Sequence, residues 1–249
     1  MSVTAKLGHL SSSLSYVDIL AFLYKEWLDL SGEGSPRDKF VLSKGHGCAA
    51  LYVAMADCGI IDSAALNDYG KENASLQCHP CRHYLPELAA SSGSLGIGMG
   101  IATGFAKARK LRNQAGRIVA LVGDGECNEG AVWEAAMYAA AAGLDNLYVV
   151  VDYNGVQAVG QSDRIMGHTD LGKKFDSFGW FAQTIDGNRL EEIRDAFGQA
   201  ARADRPSVIV AKSATGVPFM DNDVLWHYRV PSEKEYEDAL SHLDAEPIF

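Results

Sequence analysis

Two apolar runs in this chain end in residues that bind hard cations. RIVALVG, 117–123, leads into Gly123-Asp124-Gly125, and NLYVVVD, 146–152, leads into Asp152-Tyr153-Asn154. A carboxylate and an amide oxygen are ligands suited to Mg²⁺ or Ca²⁺. If the two runs are neighbouring strands, about 4.8 Å apart, Asp124 and Asn154 converge on one small object. The flanking glycines let the backbone approach a bulky ligand, and the helix expected next offers its first amides to an anion. Together these features predict a metal–diphosphate site. Gly-Asp-Gly taken alone is also an ordinary turn after a strand.

A second stretch, SLQCHPCRHYLPELAASSGSLG at 75–96, sets Cys78 and Cys81 in C-x-x-C spacing beside His79 and His83. A metal site, a redox pair and a haem anchor all fit that spacing at first sight. The haem pattern needs His where Arg82 stands. A structural zinc site needs about four ligands, and the chain has no second C-x-x-C. A redox or metal role shared with Cys48 or Cys127 stays open. No P-loop is present, and GSLGIGMG neither follows a strand nor keeps the G-x-G-x-x-G spacing.

The elements that must position these residues follow from periodicity. Residues 14–30 have apolar side chains at helical spacing, from Val17 to Leu28. SGEGSPRDK is a turn cluster. FVLS reads as a short strand ending at Ser43-Lys44-Gly45-His46-Gly47, and 48–58 as a helix. Residues 62–95 look irregular. A helix is expected from Gly96 to Arg112, with Gly96, Gly100 and Gly104 on one face. Each glycine weakens a helix by about 1 kcal/mol relative to alanine, so something is expected to approach that face closely. Strand 117–123, helix 128–142 capped by Gly143, and strand 146–152 form the clearest unit. A helix from Arg189 and strand 207–213 follow. The fold class is α/β, a mostly parallel sheet with helices on both faces. Ligands bind such sheets outside the carboxyl ends of the strands.

The chain has 249 residues and a net charge of −10. That length suits one large α/β domain or two small ones. The acidic balance argues against non-specific binding to nucleic acid or to an anionic membrane. It leaves room for phosphorylated substrates, which need only a local donor cluster or a metal ion. No apolar run approaches the roughly 20 residues of a membrane span, and no signal peptide is visible. Five cysteines without framework spacing suit a reducing cytosol, so a cytoplasmic location is expected.

VGDGECNEGAVWEAAMYAAAAGLDNLYVVVDYNGVQAVG is similar to the thiamine-diphosphate motif of transketolases, G-D-G followed further on by Asn. The wording EG-x-x-WEA, LDNL and DYN-x-x-Q favours transketolase over other thiamine enzymes. GHLSSSLSYVDILAFLY resembles the family's opening Gly-His segment, and DKFVLSKGHG its SKGH segment. CHP with SSGSLGIGMG resembles GHP…STGSLGQGL, and FGW and WH also fit. The motifs run in family order over nearly the whole chain.

The resemblance implies a thiamine-diphosphate-binding fold. Asp124, Asn154 and the carbonyl of Val156 would hold Mg²⁺, with Ca²⁺ or Mn²⁺ able to substitute. His46, Gly93, Leu95, Gly123, Gly125, Glu126 and His227 would line the cofactor. His9, His46, His79 and His227 would handle the protons and hydroxyls of a sugar, as neutral imidazole can. Glu129 and Glu134 match acidic residues near the family's subunit interface. His83, His168 and His242 match nothing.

Residues 1–249 correspond to the first domain of a transketolase, without the pyrimidine-binding and C-terminal domains. The resemblance therefore implies the N-terminal subunit of a split enzyme, inactive without a separate C-terminal subunit, in an α2β2 assembly. Its reaction would move a two-carbon ketol unit from a ketose or its phosphate to an aldose. The segment CHPCRHYLPEL departs from the family's wording, and Arg82 and His83 are expected to read the far end of the substrate. Thr215 stands where the family often has Lys. The rival readings are the α chain of a 2-oxo acid dehydrogenase, a deoxyxylulose-phosphate synthase-like enzyme and a non-catalytic cofactor-binding remnant.

Overall fold

The computed structural model describes residues 1–31, 37–167 and 170–245. Most of the SGEGSPRDK cluster, and His168, lie outside the described residues. In chain order the elements are α1 (Ser2–Ala5), α2 (Leu10–Leu14), α3 (Val17–Phe22), β1 (Lys39–Leu42), α4 (Cys48–Asp57), α5 (Ile97–Leu111), β2 (Ile118–Gly123), α6 (Gly130–Ala141) and β3 (Leu147–Tyr153). They continue with β4 (Val156–Gln157), β5 (Gly160–Gln161), α7 (Ser162–Ile165), α8 (Leu171–Ser177), β6 (Phe181–Asp186), α9 (Leu190–Ala200), β7 (Ser207–Lys212) and α10 (Glu233–Ala245).

The main sheet has five strands in the order β1-β2-β3-β7-β6, all parallel. β2 and β3 lie side by side, with Gly123 opposite Asp152. Every residue of β2 is buried, and so are Leu147–Asp152. Alternate side chains fill two cores. Val119, Leu121, Val150 and Ile209 pack toward Leu20, Leu51 and Phe197, while Ala120, Val122, Val149 and Val208 pack toward Ala102, Ala136 and Phe175. This double burial is why both strands read as unbroken apolar runs.

Two expectations are revised. The strand β6 was not anticipated: it is an edge strand, FAQTID, whose residues are partly buried or, at Thr184 and Asp186, exposed, so it carries no apolar run. The helix expected over 14–30 is broken at Ser15-Tyr16 and ends in a π-helical turn, Leu23–Trp27. The break lets the Ser15 hydroxyl donate to Asp152 and the Tyr16 hydroxyl donate to the Gly47 carbonyl. Among the described residues, no atom outside the adjoining helix backbone lies within 4 Å of a Cβ placed at Gly100 or Gly104 on α5. Of the three, Gly96 at φ +85° meets a neighbour, since a Cβ there would stand 3.2 Å from Ala131.

Candidate active site

The three central elements of the site leave the sheet at the same edge. β1 ends at Leu42 and passes through Ser43 and Lys44 into the tight turn Gly45–Gly47. β2 ends at Gly123 and turns through Glu126–Asn128 before α6. β3 ends at Tyr153 and is followed by the β4–β5 hairpin. Around these ends lies a cavity of about 500 Å³. All twelve residues singled out in the sequence line it: His9, His46, His79, Gly93, Leu95, Gly123, Asp124, Gly125, Glu126, Asn154, Val156 and His227.

Asp124 is 6% exposed. Its Oδ1 accepts the Gly125 N–H at 2.8 Å, and its Oδ2 accepts the Gly155 N–H at 3.0 Å and the Ser162 hydroxyl at 2.6 Å. Burial, with the Asp152 charge, pushes its carboxyl up to about 6, against the Ser162 and Gly125 bonds and Lys44. Asn154 Oδ1 accepts the Val156 N–H at 3.0 Å. A carboxylate offers about four lone-pair positions and an amide oxygen two, so each group retains acceptor capacity for a cation. An ion there would also offset the desolvation of Asp124. The donor set, one carboxylate with neutral oxygens, fits a hard divalent ion that completes its shell with water or phosphate.

Glu126 lines the cavity, yet its carboxylate is already committed. It is 2% exposed and accepts from Ser43 Oγ at 2.5 Å, Gly96 N at 2.7 Å and Gly123 N at 3.1 Å. It ties the ends of β1 and β2 to the start of α5. The helical region expected from residue 128 begins at Gly130 because the turn at Glu126–Asn128 carries this carboxylate back to the strand ends.

Three imidazoles cluster on one wall of the cavity. The His9 ring centroid is 5.1 Å from those of His46 and His227, which are 5.4 Å apart. The N- and C-terminal segments meet here, with the His9 N–H donating to the His227 carbonyl at 3.1 Å. Gly8 allows that approach, since a Cβ would stand 2.6 Å from the Tyr228 carbonyl oxygen. His9 adopts φ 63°, a left-handed conformation that is uncommon outside glycine. Trp226, 2% exposed, anchors the C-terminal segment and accepts the Ser11 hydroxyl at its carbonyl. Burial lowers His46 to about 2 and His227 to about 4, with Lys44 adding to both. His9 and His79 are lowered in the same way, chiefly by burial. Neutral imidazoles both donate and accept, so the cluster can pass protons to and from a hydroxylated ligand.

Sequence reading missed the charged pair beneath this wall. Lys44 Nζ lies 2.5 Å from Asp152 Oδ2, with both side chains essentially inaccessible. Asp152 also accepts the hydroxyls of Ser15 and Ser213, and the Lys44 ammonium sits 4.9 Å from the Tyr16 ring centre. Lys44 belongs to the SKGH segment, but its partner is 108 residues away. Ser162, which caps Asp124, carried no signal either.

Other expectations near the site change. Arg82 does not line this cavity. Its Nε donates to the Leu88 carbonyl and it faces a different one. His83 is likewise outside the lining and packs on Tyr84. All five cysteines are free, with Cys48 and Cys127 buried. Burial pushes the Cys48 thiol up to about 12 and Cys127 well above its ordinary value. Among the described residues no group of three or more His, Cys, Asp or Glu side chains is arranged to hold a metal.

The family model described as "Transketolase, thiamine diphosphate binding domain" matches residues 2–227. The chain belongs to that family. One subunit of the apulose-4-phosphate transketolase of Actinobacillus succinogenes is 34% identical over 244 residues, covering 96% of this chain and 88% of that protein. A 6-deoxy-6-sulfo-D-fructose transketolase subunit from a Clostridium species is 35% identical over 246 residues, with 96% and 90% covered. Human transketolase is 36% identical over 255 residues, but only 39% of it is covered. The transketolase of Pichia stipitis in complex with sedoheptulose-7-phosphate superposes with a TM-score of 0.85 at 21% identity, over 100% of this chain and 40% of that one. That likeness establishes the α/β fold. By extent, this transketolase chain groups with the separate subunits and corresponds to the N-terminal, diphosphate-binding part of the longer enzymes. No helix among the described residues is long and apolar enough to cross a membrane.

Proposed function

We propose that the chain, residues 1–249, is the diphosphate-binding domain and N-terminal subunit of a two-chain transketolase. It would be inactive alone and work in the cytosol as an α2β2 assembly with a C-terminal subunit bearing the pyrimidine-binding domain. The reaction is transfer of a two-carbon ketol unit from a ketose or its phosphate to an aldose or its phosphate. The observation that carries this reading is the convergence of Asp124, Asn154 and the imidazole cluster on one cavity.

Thiamine diphosphate, when bound, supplies the electron sink for cleaving the bond next to a ketose carbonyl. Asp124, Asn154 and the Val156 carbonyl would hold Mg²⁺, which Ca²⁺ or Mn²⁺ could replace. Gly93, Leu95, Gly123, Gly125 and Glu126 would shape the wall against the cofactor, and His46 and His227 would donate to its diphosphate. His9, His46, His79 and His227 orient the sugar hydroxyls and move protons at them, which their neutral state permits. The Lys44–Asp152 pair holds the floor beneath them.

Native mass spectrometry of the tagged protein, gently purified from its own cells, tests the assembly. A stoichiometric second chain is expected, and the reconstituted pair should transfer ketol units while this chain alone does not. Turnover by this chain alone would overturn the two-chain reading. Absence of Mg²⁺-dependent thiamine diphosphate binding by the pair would overturn the site assignment.

A further inference from the structure

The Asn154 amide sits between neighbours of opposite hydrogen-bonding character. Its Oδ1 accepts the Val156 N–H at 3.0 Å and retains a second lone pair. Its Nδ2 donates to Ser15 Oγ and to Asp152 Oδ2, each at 3.4 Å. A flipped amide would set N–H against the Val156 N–H and oxygen against the Asp152 carboxylate. Neither contact could be a hydrogen bond, since an N–H only donates and a carboxylate only accepts. The bonds to Asp152 and Ser15 are long, but a charged acceptor in a buried site still selects N–H over oxygen. The amide therefore has one orientation. It leaves to a cation the single oxygen that this side chain can offer.

Asp152 can impose that orientation because it is itself held on every side. It is 0% exposed and lies in β3 between Gly123 of β2 and Ala211 of β7. Its carboxylate accepts the Ser15 hydroxyl at 2.6 Å, the Lys44 ammonium at 2.5 Å and the Ser213 hydroxyl. Its backbone carbonyl accepts the Asp124 N–H at 3.1 Å. One residue thus bonds to Asp124 through the main chain and to Asn154 through the side chain. Asp152 and Ser15 stand behind the cavity lining, to which Asp124, Asn154 and Val156 belong.

We propose that Asp152, aided by Ser15, is a positioning residue of the cation site. Without reaching the cavity, it turns the Asn154 amide so that the oxygen and not the nitrogen is available to a divalent ion. The proposal rests on the reading of Asn154 as a cation ligand. Partners of this kind behind a metal ligand contribute about tenfold to a hundredfold in metal affinity.

The test compares variants of the full chain in which Lys44→Met accompanies each change at residue 152, so that no buried cation is left unpaired. In that background Asp152→Asn keeps an oxygen for Nδ2 and Asp152→Leu removes it. Mn²⁺ affinity is read by electron paramagnetic resonance with thiamine diphosphate and the second subunit present. It should fall about tenfold or more from the first variant to the second. Adding Asn154→Asp should shrink that difference to about twofold or less, because a carboxylate offers oxygen in either orientation. A difference that survives Asn154→Asp would show a merely deformed site and overturn the proposal. Orientation is read without metal, on the chain alone, from the side-chain amide NMR signals of Asn154, assigned by their loss in Asn154→Asp. Their exchange with water should be faster in the Asp152→Leu variant than in the Asp152→Asn variant, and equal exchange would overturn the proposal. Ser15→Ala should speed that exchange too, so the test survives if the Asp152→Leu variant folds poorly. No Mn²⁺ binding with Lys44 and Asp152 intact, alongside the expected exchange difference, would overturn the cation assignment and leave the amide orientation standing.

Discussion

Replacing Asp124 with asparagine should flatten the pH dependence of stability and abolish cofactor binding. Burial raises the Asp124 carboxyl from 3.8 to about 6. The folded state therefore holds this proton more tightly than the unfolded chain. The stabilisation is fully present below 3.8 and is lost as pH rises through about 6. Two pK units correspond to about 3 kcal/mol, of which about 2 kcal/mol develops between about pH 4.5 and about pH 7.5. Asparagine never ionises, so the variant should gain about 2 kcal/mol on the wild type across that interval. Its amide would also face a backbone N–H that the carboxylate now accepts, Gly125 or Gly155. That mismatch costs about 1–3 kcal/mol, but the cost does not vary with pH. Urea unfolding of both proteins at the two pH values isolates the electrostatic part, because the histidines cancel in the difference. In calorimetry, Mg²⁺-dependent binding of thiamine diphosphate should disappear. A stability difference that stays flat with pH would refute the buried-charge argument. Retained metal-dependent binding would refute the assignment of Asp124 to the cation.

The histidines titrate with the opposite sign. With folded values of about 4 for His227 and about 2 for His46, both below 6.5, the unfolded chain takes up protons first and stability falls as pH drops below 6.5. An NMR titration should find the His227 midpoint near 4, and a midpoint at its ordinary value would contradict the burial argument. Lys44→Met should cost about 3–5 kcal/mol in urea unfolding, because Asp152 is left charged and buried. Adding Asp152→Asn should recover part of it, whereas strict additivity would show that the two side chains do not act as a pair. Gly98→Ala would place a Cβ 2.6 Å from Ser43 Cα. It should lower stability by about 1–3 kcal/mol and loosen the Ser43–Glu126 bond, and an unchanged urea midpoint would refute that close packing.

The β2–α6–β3 unit was legible because its strands are buried on both faces and announce themselves as continuous apolar runs. β6 was not, because an edge strand with half-exposed residues has no such run. Among the described residues of this chain nothing packs against Gly100 and Gly104. Glycine spacing marks where a close approach is permitted and does not say whether one occurs within the chain. Asp124 and Asn154 were readable as chemical types at strand ends, whereas the four histidines were picked out by the family resemblance. Arg82, also chemically suggestive, turned away toward another cavity because its Nε bonds to the Leu88 carbonyl.

The sequence by itself determined which oxygen-bearing side chains stand at the ends of β2 and β3 and that these strands run parallel, because burial periodicity and residue type are local properties. Only the tertiary structure decided that Lys44 is neutralised by Asp152, that Glu126 is spent on tying strand ends together, and that His9 and His227 share a wall. Those outcomes depend on desolvation and on partners brought together across the chain. Residue type and spacing carry no record of either.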